Sequence, residues 1–307
     1  MTIIKRITVI GSGTMGRQIS LQTARSGLPV TLYDIDPAAL AGARDEQRQN
    51  VAAWVATGKV PAGEDAAIFE RLQYVTDLAA AVRDTDLAIE AAPERVDLKR
   101  AVFAQLDAHL GTDAIIATNS SSIRVSLLED ATGRPERVAN LHFYLPVWDC
   151  PMVEIGGGAR TSEDVLDALT MFARRIGMMP LRLYKESTGF IFNRIWRAIK
   201  KESLKVVDSG VASHQDVDRA WMIAYGAHNL PPFALMDRIG LDVVKDIEEH
   251  YARESGDPSD LPPPILTEKV ARGNLGQKTG RGFYTYPNPA YAAPDFLKPG
   301  QPDPAEG

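Results

Sequence analysis

The stretch ITVIGSGTMGRQIS, residues 7–20, joins an apolar run to an amphipathic segment through three glycines in the order G-x-G-x-x-G. A strand that leads through such a loop into a helix is typical of the first unit of a dinucleotide-binding fold. Gly11 permits the tight turn, Gly13 lets the backbone approach a pyrophosphate, and Gly16 lets the helix pack closely on the strand. The exposed amides at the helix start favour an anion. The stretch therefore predicts a nucleotide cofactor.

The next apolar run, VTLYD, ends in Asp34, about twenty residues after the glycine loop. A carboxylate at this position accepts hydrogen bonds from the adenosine ribose hydroxyls and repels a 2′-phosphate, and no arginine follows it in DIDPAAL. We therefore predict NAD rather than NADP. The residues expected to contact it here are Gly11, Gly13, Thr14, Met15, Gly16 and Asp34. The alternative is a plain glycine turn followed by an aspartate that caps a helix.

Short β-branched runs alternate with longer helical segments through the first half of the chain. LAIEAA, AIIATN and RVANLHF are typical strands, and MVEIG and MPLRLYK are predicted to close the sheet. This order predicts a parallel sheet with helices on both faces. No convincing strand occurs between Phe190 and Lys278. We predict an α/β, Rossmann-type NAD-binding domain at 1–185, an all-α substrate and dimerisation domain at 186–287, and an extended or disordered tail at 288–307.

The composition is that of a globular protein and excludes several classes of function. The net charge of −6 provides no basic field for nucleic acid, and no apolar run approaches the length of a membrane span. The N-terminal apolar stretch is interrupted by Lys5 and Arg6, unlike a signal peptide. The single cysteine, Cys150, rules out an internal disulfide and fits a reducing compartment. We expect a cytoplasmic protein with no nucleic-acid, membrane or metal partner.

A second informative stretch is NLHFYLPVWDCPMVEIGGG, residues 140–158. His142 and Glu154 lie twelve residues apart, and Pro146 and Pro151 favour a bend between them, so two adjacent strands can bring the side chains together. A carboxylate that binds one imidazole nitrogen fixes the tautomer and leaves the other nitrogen free to act as a base. The alternative is a structural histidine with a satisfied hydrogen bond.

The chain resembles the 3-hydroxyacyl-CoA dehydrogenase family over nearly its whole length. HFYLP followed by MVEI is similar to the family's H-F-F-N-P followed by V-E-[IV], and ATNSSS is similar to A-T-N-T-S-S. TGFIFNRI is similar to P-G-F-[IV]-x-N-R, APERVDLK to A-x-P-E-x-x-x-x-K, and GQKTGRGFY matches the family's C-terminal segment. The motifs occur in the family's order and spacing.

The resemblance implies a role for each matching residue. It implies that His142 is the general base and Glu154 its orienting partner. It places Ser121 and Asn193 at the substrate oxygen. The residues that it places near the cofactor are Glu94, Lys99, Asn119 and Lys278. Alternatives remain open, because Asn119 and Ser121 could cap a helix near Ile123, Glu94 could cap the helix that contains Lys99, and Asn193 could be a solvated helix residue.

Three departures from the family pattern matter: Leu145 replaces asparagine, Thr188 replaces proline, and Pro232 replaces glycine. Leu145 removes an amide from the strand that carries the histidine. Lys59 stands alone where many acyl-CoA enzymes have several lysines.

The expected function is NAD-dependent oxidation of a 3-hydroxyacyl-CoA, or the reverse, in fatty acid metabolism, by a homodimer associated through its C-terminal domain. One alternative is a dehydrogenase of a free 3-hydroxy acid, resembling enzymes that act on carnitine or gulonate. A further alternative is an NAD-binding protein with little turnover.

Overall fold

The computed structural model describes residues 3–227 and 230–298. The chain divides into two compact units, Met1–Phe192 and Asn193–Gly307. The first is an α/β unit of Rossmann type and the described part of the second is helical, as the sequence predicts. The division falls after Phe192 and not at the predicted position after Lys185. The reason is that the segment up to Phe192 hydrogen-bonds to a strand of the first unit.

The first unit contains eight strands and six helices among its described residues. In chain order they are β1 (Ile7–Ile10), α1 (Thr14–Arg25), β2 (Val30–Tyr33), α2 (Pro37–Ala56), α3 (Asp65–Glu70), β3 (Leu72–Val75), α4 (Leu78–Val82), β4 (Leu87–Glu90), α5 (Val96–His109), β5 (Ile115–Thr118), β6 (Val138–Phe143), β7 (Met152–Gly157), α6 (Glu163–Arg175) and β8 (Met179–Arg182). Short 3₁₀ turns follow β5 at Val125–Leu127, Glu129–Ala131 and Pro135–Arg137.

The strands form one sheet in the order β3-β2-β1-β4-β5-β6-β7-β8. All neighbours are parallel except β6 and β7, which are antiparallel. The predicted parallel sheet therefore contains one antiparallel pair. The connection between β6 and β7, residues 144–151, is too short for the crossover that a parallel pair needs. The antiparallel pairing sets His142 opposite Glu154 in register.

Both faces of the sheet are covered, as predicted. Along β1, Val9 belongs to the core under α1, α2 and α6, whereas its neighbour Ile10 belongs to the core under α4 and α5. Successive strand residues point to opposite faces, so a sheet buried on both sides has continuous apolar strands. The edge strand β3 was missed by the sequence analysis. Its residue Gln73 is exposed, and LQYV does not form a continuous apolar run.

Five α-helices make up the described part of the second unit, with only the first residue of α7 counted in the first unit: α7 (Phe192–Asp208), α8 (His214–Tyr225), α9 (Pro232–Ile239), α10 (Leu241–Ser255) and α11 (Pro264–Ala271). Short 3₁₀ turns occupy Pro258–Asp260, Gln277–Thr279 and Ala290–Ala292. Its core includes Leu204, Phe233 and Leu266. Pro232, one of the departures from the family pattern, is the first residue of α9. A proline is well tolerated there because its missing N–H has no partner within the helix.

The predicted tail, 288–307, is described only as far as residue 298. This part packs on the second unit, so it is not a free extended segment: the Phe296 side chain is 7% exposed and lies under the Arg219 guanidinium. Residues 299–307 lie outside the described part of the chain. Among the described residues no helix combines the length and hydropathy needed to cross a membrane.

Candidate active site

The glycine loop between β1 and α1 has the geometry that its sequence predicts. Gly11 has φ +101°, and a Cβ atom there would approach Ala91 O to 2.8 Å. A Cβ on Gly16 would come within 1.8 Å of Gly11 O, so only glycine permits this contact of helix and strand. A Cβ on Gly13 would meet nothing within 4 Å, so the space over this residue is open. The backbone can therefore come close to a ligand at Gly13.

A cleft of about 1020 Å³ lies over the carboxyl ends of β1, β2 and β4. Its lining includes the loop residues Gly11, Gly13, Thr14 and Met15, together with Asp34. Apolar side chains of α4 and α5 line the opposite part. A long cleft with glycine amides at one helix start and an acid at the next strand end fits a dinucleotide. The residues present therefore fit NAD.

Asp34 is held in place by a residue that the sequence analysis did not select. The Ser12 backbone N–H and hydroxyl both donate to Asp34 Oδ2, at 2.7 and 2.8 Å. The Asp36 N–H donates to Oδ1 at 3.1 Å. Partial burial acts to raise the Asp34 pKa, but these hydrogen bonds outweigh it and hold the pKa below its usual value. Asp34 is therefore an oriented anion beside the cleft.

Lys99 lies behind the cleft and not in it. Its side chain is 1% exposed, and its ammonium contacts Glu90 Oε1 at 2.6 Å, Ala92 O at 3.1 Å and Glu94 Oε2 at 3.3 Å. These three acceptors account for all three of its N–H groups. The expected direct contact between Lys99 and the cofactor is therefore not supported. Burial forces the ammonium to pair with acids instead of projecting into solvent.

Glu94 connects this buried ion pair to the loop that follows β5. It accepts hydrogen bonds from the Ser120 hydroxyl and, at 2.8 Å, from the Ser122 hydroxyl. The N-cap of α5 is Arg95, so the alternative in which Glu94 caps that helix is wrong. Glu94 therefore orders residues 120–122, and its predicted contact with the cofactor stays a prediction.

The loop after β5 brings its asparagine against the strand that carries His142. Asn119 Oδ1 accepts a hydrogen bond from the Phe143 N–H at 2.9 Å. The capping contact to Ile123 N is made by Ser120 Oγ at 2.8 Å, and not by Asn119 or Ser121. Ser121 is exposed. A network of buried partners thus orders the loop and leaves the Ser121 side chain at the surface.

His142 and Glu154 form the predicted pair. His142 Nδ1 lies 3.0 Å from Glu154 Oε2. His142 is 5% exposed and Glu154 is 0% exposed. An ionised carboxylate only accepts hydrogen bonds, so Nδ1 carries the proton in the neutral ring and Nε2 has the lone pair. The antiparallel register of β6 and β7 is what places the two side chains together.

Glu154 also receives three further donors. The Tyr144 hydroxyl donates to Oε2 at 2.7 Å, and the N–H groups of Ile191 and Phe192 donate to Oε1 at 2.8 and 2.9 Å. Burial acts to raise the Glu154 pKa, but the hydrogen bonds from His142, Tyr144 and the two amides keep it below its ordinary value. The carboxylate is therefore ionised at neutral pH.

The segment that supplies the two amides has an unusual backbone. Gly189 has φ +74° and Phe190 has φ +50°, which is uncommon for a residue other than glycine. Phe190 is buried, and its ring centroid lies 5.5 Å from that of His142. The turn places an aromatic ring beside the imidazole and directs the next two N–H groups at Glu154. Strained residues are often found at functional sites.

Two predicted residues belong to the second unit. Asn193 follows Phe192 in the first turn of α7. Lys278 lies in the 3₁₀ turn Gln277–Thr279 and pairs with Asp242 at 2.6 Å. The roles of both residues at the substrate and the cofactor stay predictions.

The sequence analysis missed Ser12 and Tyr144, which bind the two functional acids. The signal for Tyr144 was present, since HFYLP has tyrosine where the quoted family motif H-F-F-N-P has phenylalanine. Ser12 occupies a variable position of the glycine motif and gave no signal. Within residues 3–227 and 230–298, no group of three or more His, Cys, Asp or Glu side chains is placed to hold a metal ion.

Comparison with known proteins shows matches along both units. Residues 6–187 match the family model for the 3-hydroxyacyl-CoA dehydrogenase NAD binding domain, and residues 189–286 match the model for the C-terminal domain. Together the two models extend over most of the chain.

The relatives include enzymes with different named substrates. A 5-formyl-3-hydroxy-2-methylpyridine 4-carboxylate 5-dehydrogenase of Mesorhizobium japonicum is 32% identical, over 92% of this chain and 91% of its own. A 3-hydroxybutyryl-CoA dehydrogenase of Mycobacterium tuberculosis is 34% identical, over 92% of this chain and 99% of its own. The crystal structure of (S)-3-hydroxybutyryl-CoA dehydrogenase from Ralstonia eutropha superimposes with a TM-score of 0.87, at 33% identity, over 93% of this chain and 100% of its own.

Proposed function

Because the chain belongs to the 3-hydroxyacyl-CoA dehydrogenase family and is an NAD-dependent oxidoreductase acting on a CH–OH group, we propose that it oxidises a 3-hydroxyacyl-CoA to the 3-oxoacyl-CoA, or catalyses the reverse. The observation that carries this proposal is the buried His142–Glu154 pair near the carboxyl end of β6. This end of the parallel strands is also the edge at which the cofactor cleft opens.

In the proposed reaction His142 Nε2 takes the proton from the substrate hydroxyl. Glu154 holds the ring through Nδ1 and stabilises the imidazolium that forms. Ser121 and Asn193 hold the substrate oxygen as its charge changes. NAD, when bound, supplies the hydride acceptor. The aromatic rings of Tyr144 and Phe190 pack beside the imidazole and exclude water from it.

A second candidate is a dehydrogenase of a small hydroxy acid without CoA. Leu145 favours it, because this side chain is 45% exposed and offers an apolar surface where the family pattern has an amide. The similar enzyme from Mesorhizobium japonicum is named for a pyridine carboxylate and not for a CoA ester. An apolar contact at this position suits an aromatic or alkyl group next to the reacting carbon.

Measuring NADH formation at 340 nm with a panel of paired substrates distinguishes the candidates. Each 3-hydroxy acid is supplied as the CoA thioester and as the free acid. We expect kcat/KM to be higher for the thioester. Higher values for free acids would reject the CoA proposal in favour of the second candidate. Tight NAD binding without turnover on any pair would support a binding protein with little activity.

We also propose a homodimer formed through the second unit. Ile195 on α7, Ile223 on α8 and Val243 on α10 are 55%, 71% and 42% exposed, although they are large apolar side chains. Burying such surfaces against a second copy is favourable. Light scattering at micromolar concentration is expected to give about twice the chain mass, and a value near 33.5 kDa would contradict the dimer.

A further inference from the structure

Tyr144 and His142 bind the same oxygen of Glu154. The Tyr144 hydroxyl lies 2.7 Å from Glu154 Oε2, and His142 Nδ1 lies 3.0 Å from it. We propose that Tyr144 is a positioning residue. Because it binds the same oxygen of Glu154 as His142 does, it shares the carboxylate charge with His142 and thereby sets the lowest pH at which the pair can take a proton from the substrate. This inference rests on the proposed function, in which His142 is the base.

The hydrogen-bonding capacity of Glu154 is fully used. Each carboxylate oxygen offers about two acceptor sites. Oε2 receives His142 and Tyr144, and Oε1 receives the N–H groups of Ile191 and Phe192. The side chain is 0% exposed, so solvent does not compete for these sites. The Tyr144 hydroxyl therefore fills the acceptor site of Oε2 that His142 does not use.

Sharing the oxygen has a chemical consequence. A hydrogen bond to a carboxylate delocalises its negative charge, so a second donor on Oε2 weakens the attraction between that oxygen and an imidazolium. The tyrosine hydroxyl therefore leaves less negative charge on Oε2 for the His142 ring than phenylalanine would. With phenylalanine in the same place, Oε2 keeps more charge for His142, and the protonated ring is favoured.

Among the described residues, the other groups that contact the pair are uncharged. Strand β8 sets Leu181 opposite Glu154 in register, and the rings that pack on His142 belong to Tyr144 and Phe190. Within the described part of the first unit, Glu154 is the one charged side chain that pairs with His142. A change in how the Glu154 charge is shared is therefore expected to change the pH dependence of the pair.

The substitution Tyr144→Phe removes the hydroxyl and keeps the aromatic ring, so it tests the hydroxyl alone. The ring contacts to His142 (centroids 4.4 Å apart) and to Phe192 (5.3 Å) remain possible with phenylalanine. Tyr74→Phe is the matched control, because the Tyr74 hydroxyl also donates to one side-chain oxygen of the first unit, Gln47 Oε1 at 2.6 Å, away from the pair. Both variants lose a single partly buried hydroxyl.

The first readout is the pH profile of kcat/KM for oxidation, which reports groups of the free enzyme. In Tyr144→Phe we expect the acidic limb to move to higher pH by about half a unit or more, with less than about tenfold change at the plateau. Tyr74→Phe should leave the limb in place. A merely structural role would lower activity equally at all pH values. An acidic limb that stays in place, or moves to lower pH, overturns the proposal.

The second readout needs no substrate and no cofactor. In NMR spectra of the full-length protein, the His142 ring signal is identified by its loss in His142→Gln, since the chain has five histidines. We expect the pH at which this signal changes to rise in Tyr144→Phe and to stay constant in Tyr74→Phe. No difference between the two variants would overturn the role of Tyr144, even if turnover confirms that His142 is the base. A rise in an enzyme whose His142→Gln variant is active would support the charge sharing and reject the proposed catalytic role instead.

Discussion

Replacing His142 with glutamine is expected to lower kcat by about 10²–10⁴-fold, the usual contribution of a positioned general base. Glutamine keeps a polar group of similar reach but cannot take a proton near neutral pH. NAD affinity should change little, because the glycine loop and Asp34 line the cleft and His142 does not. Stopped-flow measurement of NADH formation together with NAD titration separates the two effects. Near-normal turnover would show that the pair is structural.

Glu154→Gln provides the second arm of the same experiment. Glutamine replaces one acceptor oxygen by an NH₂ group, which must face either the His142 and Tyr144 donors or the two amides of Ile191 and Phe192. We expect a loss in kcat smaller than that of His142→Gln, because an amide oxygen can still orient the ring. The losses in the double variant should not add, since both residues act through one proton transfer. Additive losses would indicate independent roles.

The second large effect concerns the choice of cofactor. We expect kcat/KM to favour NAD over NADP by at least ~100-fold, equivalent to about 2.7 kcal/mol. Asp34 is held ionised and oriented by Ser12, so a 2′-phosphate would meet a fixed negative charge. Initial rates with both cofactors at limiting concentration test this. Comparable kcat/KM values for the two would reject the role of Asp34.

Two variants make the test of the cofactor site specific. Asp34→Asn removes the charge and should reduce the preference for NAD. Asp36→Asn removes a charge two residues away and keeps the helix cap at Ala38 N, because asparagine is an equally good N-cap. It should preserve the preference. If both variants changed the preference alike, the effect would come from general charge and not from the position of Asp34.

The amino-acid sequence alone was enough to predict the features that depend on local properties of the chain. The glycine loop is one of them, since a positive φ at Gly11 and a close contact at Gly16 are requirements of the backbone itself. The alternation of apolar runs and amphipathic segments predicted the central strands, and the pattern changed where the helical unit follows. The pairing of His142 with Glu154 could also be predicted, because a short turn between two strands limits where their side chains can lie.

Which groups satisfy the buried charges could be learned only from the three-dimensional fold. Ile191 and Tyr144 both donate to Glu154 although they are far apart in the chain, and Ser12, just after β1, donates to Asp34, just after β2. The fold also shows that Lys99 pairs with Glu90 and therefore does not line the cleft. A buried charge must find partners wherever the fold supplies them. Those partners come from separate elements, so spacing along the chain does not encode them.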